Sequence, residues 1–290
     1  MATNTPFGQR LGLVLEGGAM RGIYTAGVLD VFLEAGIMPD VVVGVSAGAL
    51  HGCSYVAGQK GRSIRYYRKY RSDKHFMGLY SLLTTGDVVG TKFCYEDIPL
   101  RLDPFNEAAF EKAPVDFYVT VTNVRTGKPE YILCDELKVG SKMDVIRAGA
   151  SMPLCSKMVE WNGNLYLDGG VSDSIPYAKM KDFGCRKSIV VLTQPAGYLK
   201  QPAAMAPFEA MYRKYPAFVE AMRGRDQMYN TEVCAVEQAA KQGDVFLIRP
   251  NKLLHVGRME HDIEVLNAQY ELGRQDARNQ MDAMREWMER

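Results

Sequence analysis

The chain has 290 residues, enough for one large domain or two modest ones with a sizeable buried core. Hydrophobic residues make up 47% and charged residues 24%, the mix of an ordinary globular protein, and the longest apolar runs are strand-length, far short of a bilayer span. A formal net charge of +1 excludes a global field that would recruit nucleic acid or anionic lipid, so any such affinity must come from a local patch.

The six cysteines, Cys53, Cys94, Cys134, Cys155, Cys185 and Cys234, are widely spaced and form no CxxC pair, which speaks against a metal site or a dense disulfide framework. The opening stretch MATNTPFGQR has no apolar run behind a basic start, so no secretory signal is expected. A reducing cytoplasmic setting is therefore the expectation, with peripheral membrane contact left open.

In chain order, Leu11–Leu15 is a short apolar run ending in Glu16-Gly17-Gly18, the pattern of a buried strand entering a glycine turn. Gly22 to Ala35 carries apolar residues on a helical repeat, with Gly36 as its stop. Asp40–Val45 predicts a second buried strand, and a further helical pattern follows it at once. Two strands buried on both faces and joined by a helix imply a parallel pair in an α/β sheet. Val115–Val121 and Tyr131–Cys134 predict a hairpin around Thr126-Gly127-Lys128. Ser188–Leu192 and Val245–Ile248 complete the expected sheet. Residues 195–243 read as a helical insertion and 244–290 as a final strand with C-terminal helices, so one catalytic domain over 1–290 is expected, its core motifs within 11–193.

Three motifs carry chemistry. Gly44-Val45-Ser46-Ala47-Gly48 is a GxSxG elbow, in which small flanking residues let a tight strand-to-helix turn hold the serine hydroxyl at the positive end of the following helix. Gly17-Gly18-Ala19-Met20-Arg21-Gly22 follows the first strand and opens the first helix. The unpaired N–H groups of such a turn suit an acyl oxyanion or a phosphate, whereas its spacing fits neither GxGxxG nor GxxxxGK[ST]. Asp168-Gly169-Gly170 follows Asn164-Leu165-Tyr166-Leu167 and by itself would be read as a turn.

Taken in order, GGxxRG, GxSxG and DGG resemble the patatin-like phospholipases over about Leu11 to Thr193, with Ala150-Ser151-Met152-Pro153 ahead of the aspartate as a further point of likeness. Leu266 to Arg278 is similar to the tail of a bacterial branch of that family. The resemblance implies a three-layer α/β/α fold with a mainly parallel central sheet. It also implies a Ser–Asp dyad in place of a Ser-His-Asp triad, with Ser46 as nucleophile and Asp168 as base. Gly17, Gly18 and Ala19 would form the oxyanion turn. Arg21, Gly22, Gly44, Gly48, Gly169 and Gly170 complete the matching motifs. No metal or cofactor is implied, and the substrate would be a lipid ester. Two positions depart from the pattern: Glu16 stands where many members have Asp, and Ala19 replaces a third glycine. Alanine still offers an N–H but cannot take a positive φ cheaply, so the oxyanion turn is expected to survive only if that position lies in an ordinary backbone region.

Two rivals stand beside this reading. An α/β-hydrolase triad would run Ser46, Asp168 and then His255 or His261, although neither histidine sits in a glycine-bracketed loop after a strand. His51 and His75 are the remaining histidines, and His51 reads as a packing residue. A non-catalytic lipid- or anion-binding module would use the glycine turn only to hold a charge. Residues 62–74, RSIRYYRKYRSDK, could meet anionic headgroups at a membrane or be a basic helix that buries its tyrosines; no nucleic acid partner is expected. Met205 to Met222 places Met and aromatic side chains at helical spacing, for the core or for an acyl-chain channel and lid.

Overall fold

The computed structural model describes residues 5–252, 256–257 and 259–290. Its centre is a sheet of eight strands: β1 (Arg10–Leu15), β2 (Val41–Val45), β3 (Asp116–Asn123), β4 (Pro129–Leu133), β5 (Val159–Trp161), β6 (Asn164–Asp168), β7 (Cys185–Val191) and β8 (Val245–Ile248). Strands β3, β2, β1, β7 and β8 run parallel in that order, and β4, β5 and β6 form an antiparallel arm on β3.

Eleven α-helices accompany the sheet in the described residues: α1 (Ile23–Glu34), α2 (Ala47–Val56), α3 (Arg62–Tyr70), α4 (Leu79–Thr85), α5 (Glu107–Lys112), α6 (Met143–Gly149), α7 (Ala206–Met211), α8 (Pro216–Arg223), α9 (Arg225–Gln242), α10 (Ile263–Asn279) and α11 (Met281–Glu289). Because strand side chains alternate between faces, each parallel strand feeds two cores. Leu13, Leu15, Val42, Ile189 and Val191 pack with α1, α2, α6 and α10. Val14, Val41, Val43, Val190 and Leu192 pack on the other face with Tyr229, Val236 and Ala239 of α9. The result is a three-layer α/β/α protein, and the continuous VVV run of β2 is apolar because both of its faces are covered.

The expected strands are present with ends moved by a few residues, as hydrogen-bonded ends commonly are. Strands β5 and β6 were not expected. The first is three residues long, and the second alternates over only five, too short for periodicity to register. Strand β8 pairs in parallel with β7 and extends the sheet beyond the helical stretch at 195–243. That stretch contains α7, α8 and α9, and α8 and its neighbours bury Tyr212, Phe218, Val219 and Met222 against Val124, Leu167 and Val171. No helix among the described residues is long and apolar enough to cross a membrane.

Candidate active site

Ser46 sits between β2 and α2 with φ 53° and ψ −122°, a left-handed position rarely taken by a residue with a side chain. Such backbone costs on the order of 1–3 kcal/mol and persists only where its surroundings enforce it. Close approach enforces it here. A Cβ on Gly44 would lie 2.5 Å from Ala49 Cα, and one on Gly48 would lie 2.3 Å from the Leu15 carbonyl oxygen. Both glycines flanking the serine are therefore needed because backbone occupies the space of a side chain.

Asp168 ends β6, and sheet register brings it to the serine. Strand β2 runs along one edge of β3 and stops where Val45 pairs with Thr120. Strand β4 occupies the other edge from Tyr118 to Thr122, so β6 must take the edge that β2 has vacated, where Asp168 pairs with Val121. The C-terminal ends of β2 and β6 thus abut across adjacent residues of β3. Ser46 Oγ donates to Asp168 Oδ2 at 2.6 Å, and both residues are buried.

The carboxylate is held on every side. Its Oδ1 accepts from Gly170 N–H at 2.8 Å, and its own N–H donates to the Ser151 carbonyl at 2.9 Å. Thr122 Oγ1 donates to the Asp168 carbonyl at 2.8 Å. Gly169 has no room for a side chain, since a Cβ would lie 2.2 Å from the Thr120 carbonyl oxygen. Burial pushes the Asp168 carboxyl above the usual carboxylate range, opposed by the Ser46 hydroxyl, the nearby Arg225 charge and the Gly170 N–H.

The glycine turn closes the third side. After β1, Gly17 and Gly18 lead into a 3-10 turn, Ala19–Gly22, and Arg21 N–H donates back to the Gly18 carbonyl at 3.1 Å. The N–H groups at 17–19 precede that first turn bond. A Cβ on Gly17 would lie 2.8 Å from Ser46 Cβ, so this backbone runs directly against the serine. Ala19 has φ 49°, so the condition of an ordinary backbone region is not met and the turn carries an alanine in left-handed backbone.

In the sequence Glu16 is only a departure from the family pattern; in the structure it ties the turn to the end of β7 and to α9. Its buried carboxylate accepts from Thr193 N–H at 2.5 Å and from Tyr229 OH at 2.9 Å. Thr193 Oγ1 in turn donates to the Gly17 carbonyl at 3.3 Å. Burial raises the Glu16 carboxyl above its ordinary range, while Thr193 N–H, Tyr229, Arg21 and Lys200 pull it down. Tyr229 and Arg225 come from α9, and Arg225 Nε donates to the Gly170 carbonyl at 2.5 Å. No sequence motif announces either residue; both reach the site only because α9 packs on this face of the sheet.

Two cavities meet at Ser46. One is apolar and runs under α3, lined by Leu50, Tyr66, Tyr67, Met77, Tyr95 and Ile98 among others. The other carries polar groups, including Glu16, Arg21, Asp168, Lys200, Arg225 and Tyr229, along with Phe208 and Met222 from the helical stretch. Ser46, Ala19 and Met152 line both. The tyrosines of 62–74 are therefore buried: Tyr66, Tyr67 and Tyr70 join the core with Met20, Ile23 and Phe76.

The described histidines lie elsewhere. His51 is buried on α2 with Nδ1 3.0 Å from Ser63 Oγ, and burial pushes its imidazolium down to about 3. His75 is paired with Asp73 at 2.8 Å, and His261 is exposed at the start of α10. His255 lies outside the described residues. The six cysteines are free thiols, and no group of three or more metal-ligating side chains occurs among the described residues.

Residues 13–180, which contain all three motifs, match the patatin-like phospholipase family. The chain belongs to that family. A patatin-like phospholipase is a carboxylic ester hydrolase, and this chain is an enzyme of that class. Residues 215–289 match a second family, DUF6363, described as a domain of unknown function. The chain is 28% identical over 273 residues to the uncharacterized protein YjjU of Escherichia coli K12, covering 91% of this chain and 75% of YjjU. It is 30% identical over 182 residues to lysophospholipase nte1 of Aspergillus terreus and 30% identical over 190 residues to lysophospholipase NTE1 of Saccharomyces cerevisiae. Those alignments cover 61% and 63% of this patatin-like chain but only 11% of either fungal protein. Among solved structures, VipD from Legionella pneumophila aligns with a TM-score of 0.48 at 13% identity, over 96% of this chain and 67% of VipD.

Proposed function

We propose that this patatin-like protein hydrolyses lipid carboxylic esters of the phospholipase A or lysophospholipase kind through a Ser46–Asp168 dyad and an acyl-enzyme. The observation that carries the proposal is the 2.6 Å hydrogen bond from Ser46 Oγ to Asp168 Oδ2 at the junction of an apolar and a polar cavity. An acyl chain fits the apolar side, and the alcohol half of the ester fits the polar side. The names of the fungal relatives point the same way.

Asp168 Oδ2 accepts the Ser46 proton as Oγ attacks the ester carbonyl carbon. Negative charge gathers on the carbonyl oxygen, where the N–H groups of Gly17, Gly18 and Ala19 and the N-terminal end of α2 would stabilise it. Collapse breaks the bond to the leaving oxygen, which takes the proton from Asp168 and leaves an acyl-Ser46 ester. Water then gives a proton to Asp168 and attacks that ester. The second collapse returns the proton to Ser46 Oγ and releases the fatty acid. An aspartate has a reference pKa of about 3.9 and is a weak base for serine at neutral pH. Burial strengthens it, and the preorganised turn supplies much of the remaining barrier reduction.

Residues 1–290 are proposed to act as one catalytic unit, since 195–243 contributes Arg225 and Tyr229 to the motifs of 11–193. Contact with a membrane follows from the substrate, because long-chain esters reside there. Labelling with a fluorophosphonate probe tests the reading: wild type should label, Ser46→Ala should be silent and Asp168→Asn should be crippled. Unlabelled wild type, or labelling that survives Ser46→Ala, would overturn it.

A further inference from the structure

Helix α4 turns large apolar side chains outward beside the site. Residues 76–86, FMGLYSLLTTG, contain no charged side chain. Within them Leu79 is 69% exposed and Leu83 76%, with Tyr80 and Leu82 also exposed. Scattered exposed leucines are ordinary, but four large apolar side chains on two turns of one uncharged helix are a patch. The hydroxyls of its serine and threonines are already used internally. Ser81 Oγ donates to the Asp87 carbonyl at 2.8 Å, Thr84 Oγ1 to the Tyr80 carbonyl at 2.8 Å and Thr85 Oγ1 to the Ser81 carbonyl at 2.7 Å. A helix whose hydroxyls are satisfied this way loses little on leaving water.

The same excursion forms part of the substrate cavity at its base. Met77 bridges to Val89, and Gly78 N–H donates to the Val88 carbonyl at 2.8 Å, pinching the segment closed. Met77 and Val89 line the apolar cavity that ends at Ser46. The exposed leucines are therefore a few residues from the wall along which an acyl chain would enter. Lysines flank the patch: Lys74 Nζ lies 4.6 Å from the centre of the Tyr80 ring, and Lys157 Nζ donates to the Thr85 carbonyl at 2.6 Å. Both lysines are exposed, and so is Lys92 just beyond the base. The nearby acids are engaged, Asp73 with His75 and buried Asp87 with Lys157 N–H and Thr91.

We propose that α4 is the surface by which this protein docks on anionic phospholipid membranes. Leu79 and Leu83 enter the acyl boundary and Lys74, Lys92 and Lys157 meet the headgroups, opening the apolar cavity toward the lipid. This deepens the lipid-ester reading and rests on it for the purpose of docking. Of 62–74 it keeps only Lys74 in the membrane contact and sets the apolar part on α4, since α3 turns its tyrosines into the core.

The test uses full-length Ser46→Ala protein, which cannot digest its target, sedimented with vesicles of phosphatidylcholine alone or mixed with phosphatidylglycerol. Binding to the mixed vesicles is expected to exceed binding to phosphatidylcholine. Adding Leu79→Ser and Leu83→Ser should weaken it by about tenfold or more. Lys74→Glu with Lys92→Glu should remove the preference for the anionic vesicles. In the Ser46-intact background, Leu79→Ser with Leu83→Ser should hydrolyse a soluble short-chain ester at the wild-type rate, showing that the fold and catalytic centre survive. Equal vesicle binding with and without the serine pair would overturn the proposal. So would a dimer that the serine pair dissociates in the absence of vesicle binding, which would assign the face to a second copy of the chain. Leucine-dependent vesicle binding by a protein that hydrolyses no ester would leave docking standing and remove the catalytic reading instead.

Discussion

Ala19→Gly should make this protein more stable, because position 19 is the one place in the glycine turn at 17–22 where the chemistry of the residue and the backbone disagree. Ala19 has φ 49°, and left-handed backbone costs an L-residue with a Cβ about 1–2 kcal/mol. Glycine removes that cost but adds freedom to the unfolded chain, which takes back about 0.4–1 kcal/mol. The expected net gain is about 0.5–1 kcal/mol, or about 1–3 °C in Tm for a chain of this size. Thermal unfolding followed by circular dichroism measures it. The fluorophosphonate labelling rate should not change, since glycine adopts the same backbone without distortion. Ala19→Val makes the opposite change, because a β-branched side chain tolerates left-handed backbone still less, and should lose both stability and labelling. A Ala19→Gly protein that melts at or below wild type would refute the left-handed placement and the strain argument with it.

The remaining predictions concern the carboxylates around the site. Asp168 must be ionised to accept the serine proton, and burial raises its pKa from 3.8, so kcat/KM should fall with acid through a limb lying above that value. That limb should persist in His255→Ala and His261→Ala; its loss in either would favour a triad. Tyr229→Phe removes a donor to buried Glu16, and should cost about 1–3 kcal/mol of stability and slow labelling by loosening the clamp on the turn. Behind the Asp168-Gly169-Gly170 turn, Glu232 faces Asp173, and burial with that neighbouring carboxylate pushes Glu232 up to about 9 from 4.5. A raised folded pKa means that the stability held below pH 4.5 is lost as pH rises through about 9. Glu232→Gln keeps an acceptor for the Ser174 and Ile175 N–H groups without the charge. Its Tm should therefore decline less than that of wild type across this interval, and parallel melting curves would disprove the buried pair.

How much of this was legible beforehand divides by the range of the interaction. The elbow, the glycine turn and the DGG turn are local backbone constraints, and each leaves small residues at fixed offsets because neighbouring backbone fills the space at Gly44, Gly48 and Gly169. The apolar runs of β1, β2, β7 and β8 likewise declare a sheet covered on both faces. Strand β6, which carries Asp168, is too short to show a period, so its aspartate could be picked out only by the glycines after it.

Local sequence could not pair Ser46 with Asp168, which are 122 residues apart. Register did that, because β2 and β6 end on adjacent residues of one edge of β3. Nor could it find Tyr229 beside Glu16, 213 positions away, since the bond depends on where α9 lies across the sheet. It left both readings of the basic, tyrosine-rich α3 open as well: the tyrosines lie in the core because burial depends on which face meets the rest of the protein. Composition and spacing record what each turn and strand must be, because those demands act within a few residues. Which side chains face each other, and which face water, is decided by packing between segments far apart in the chain.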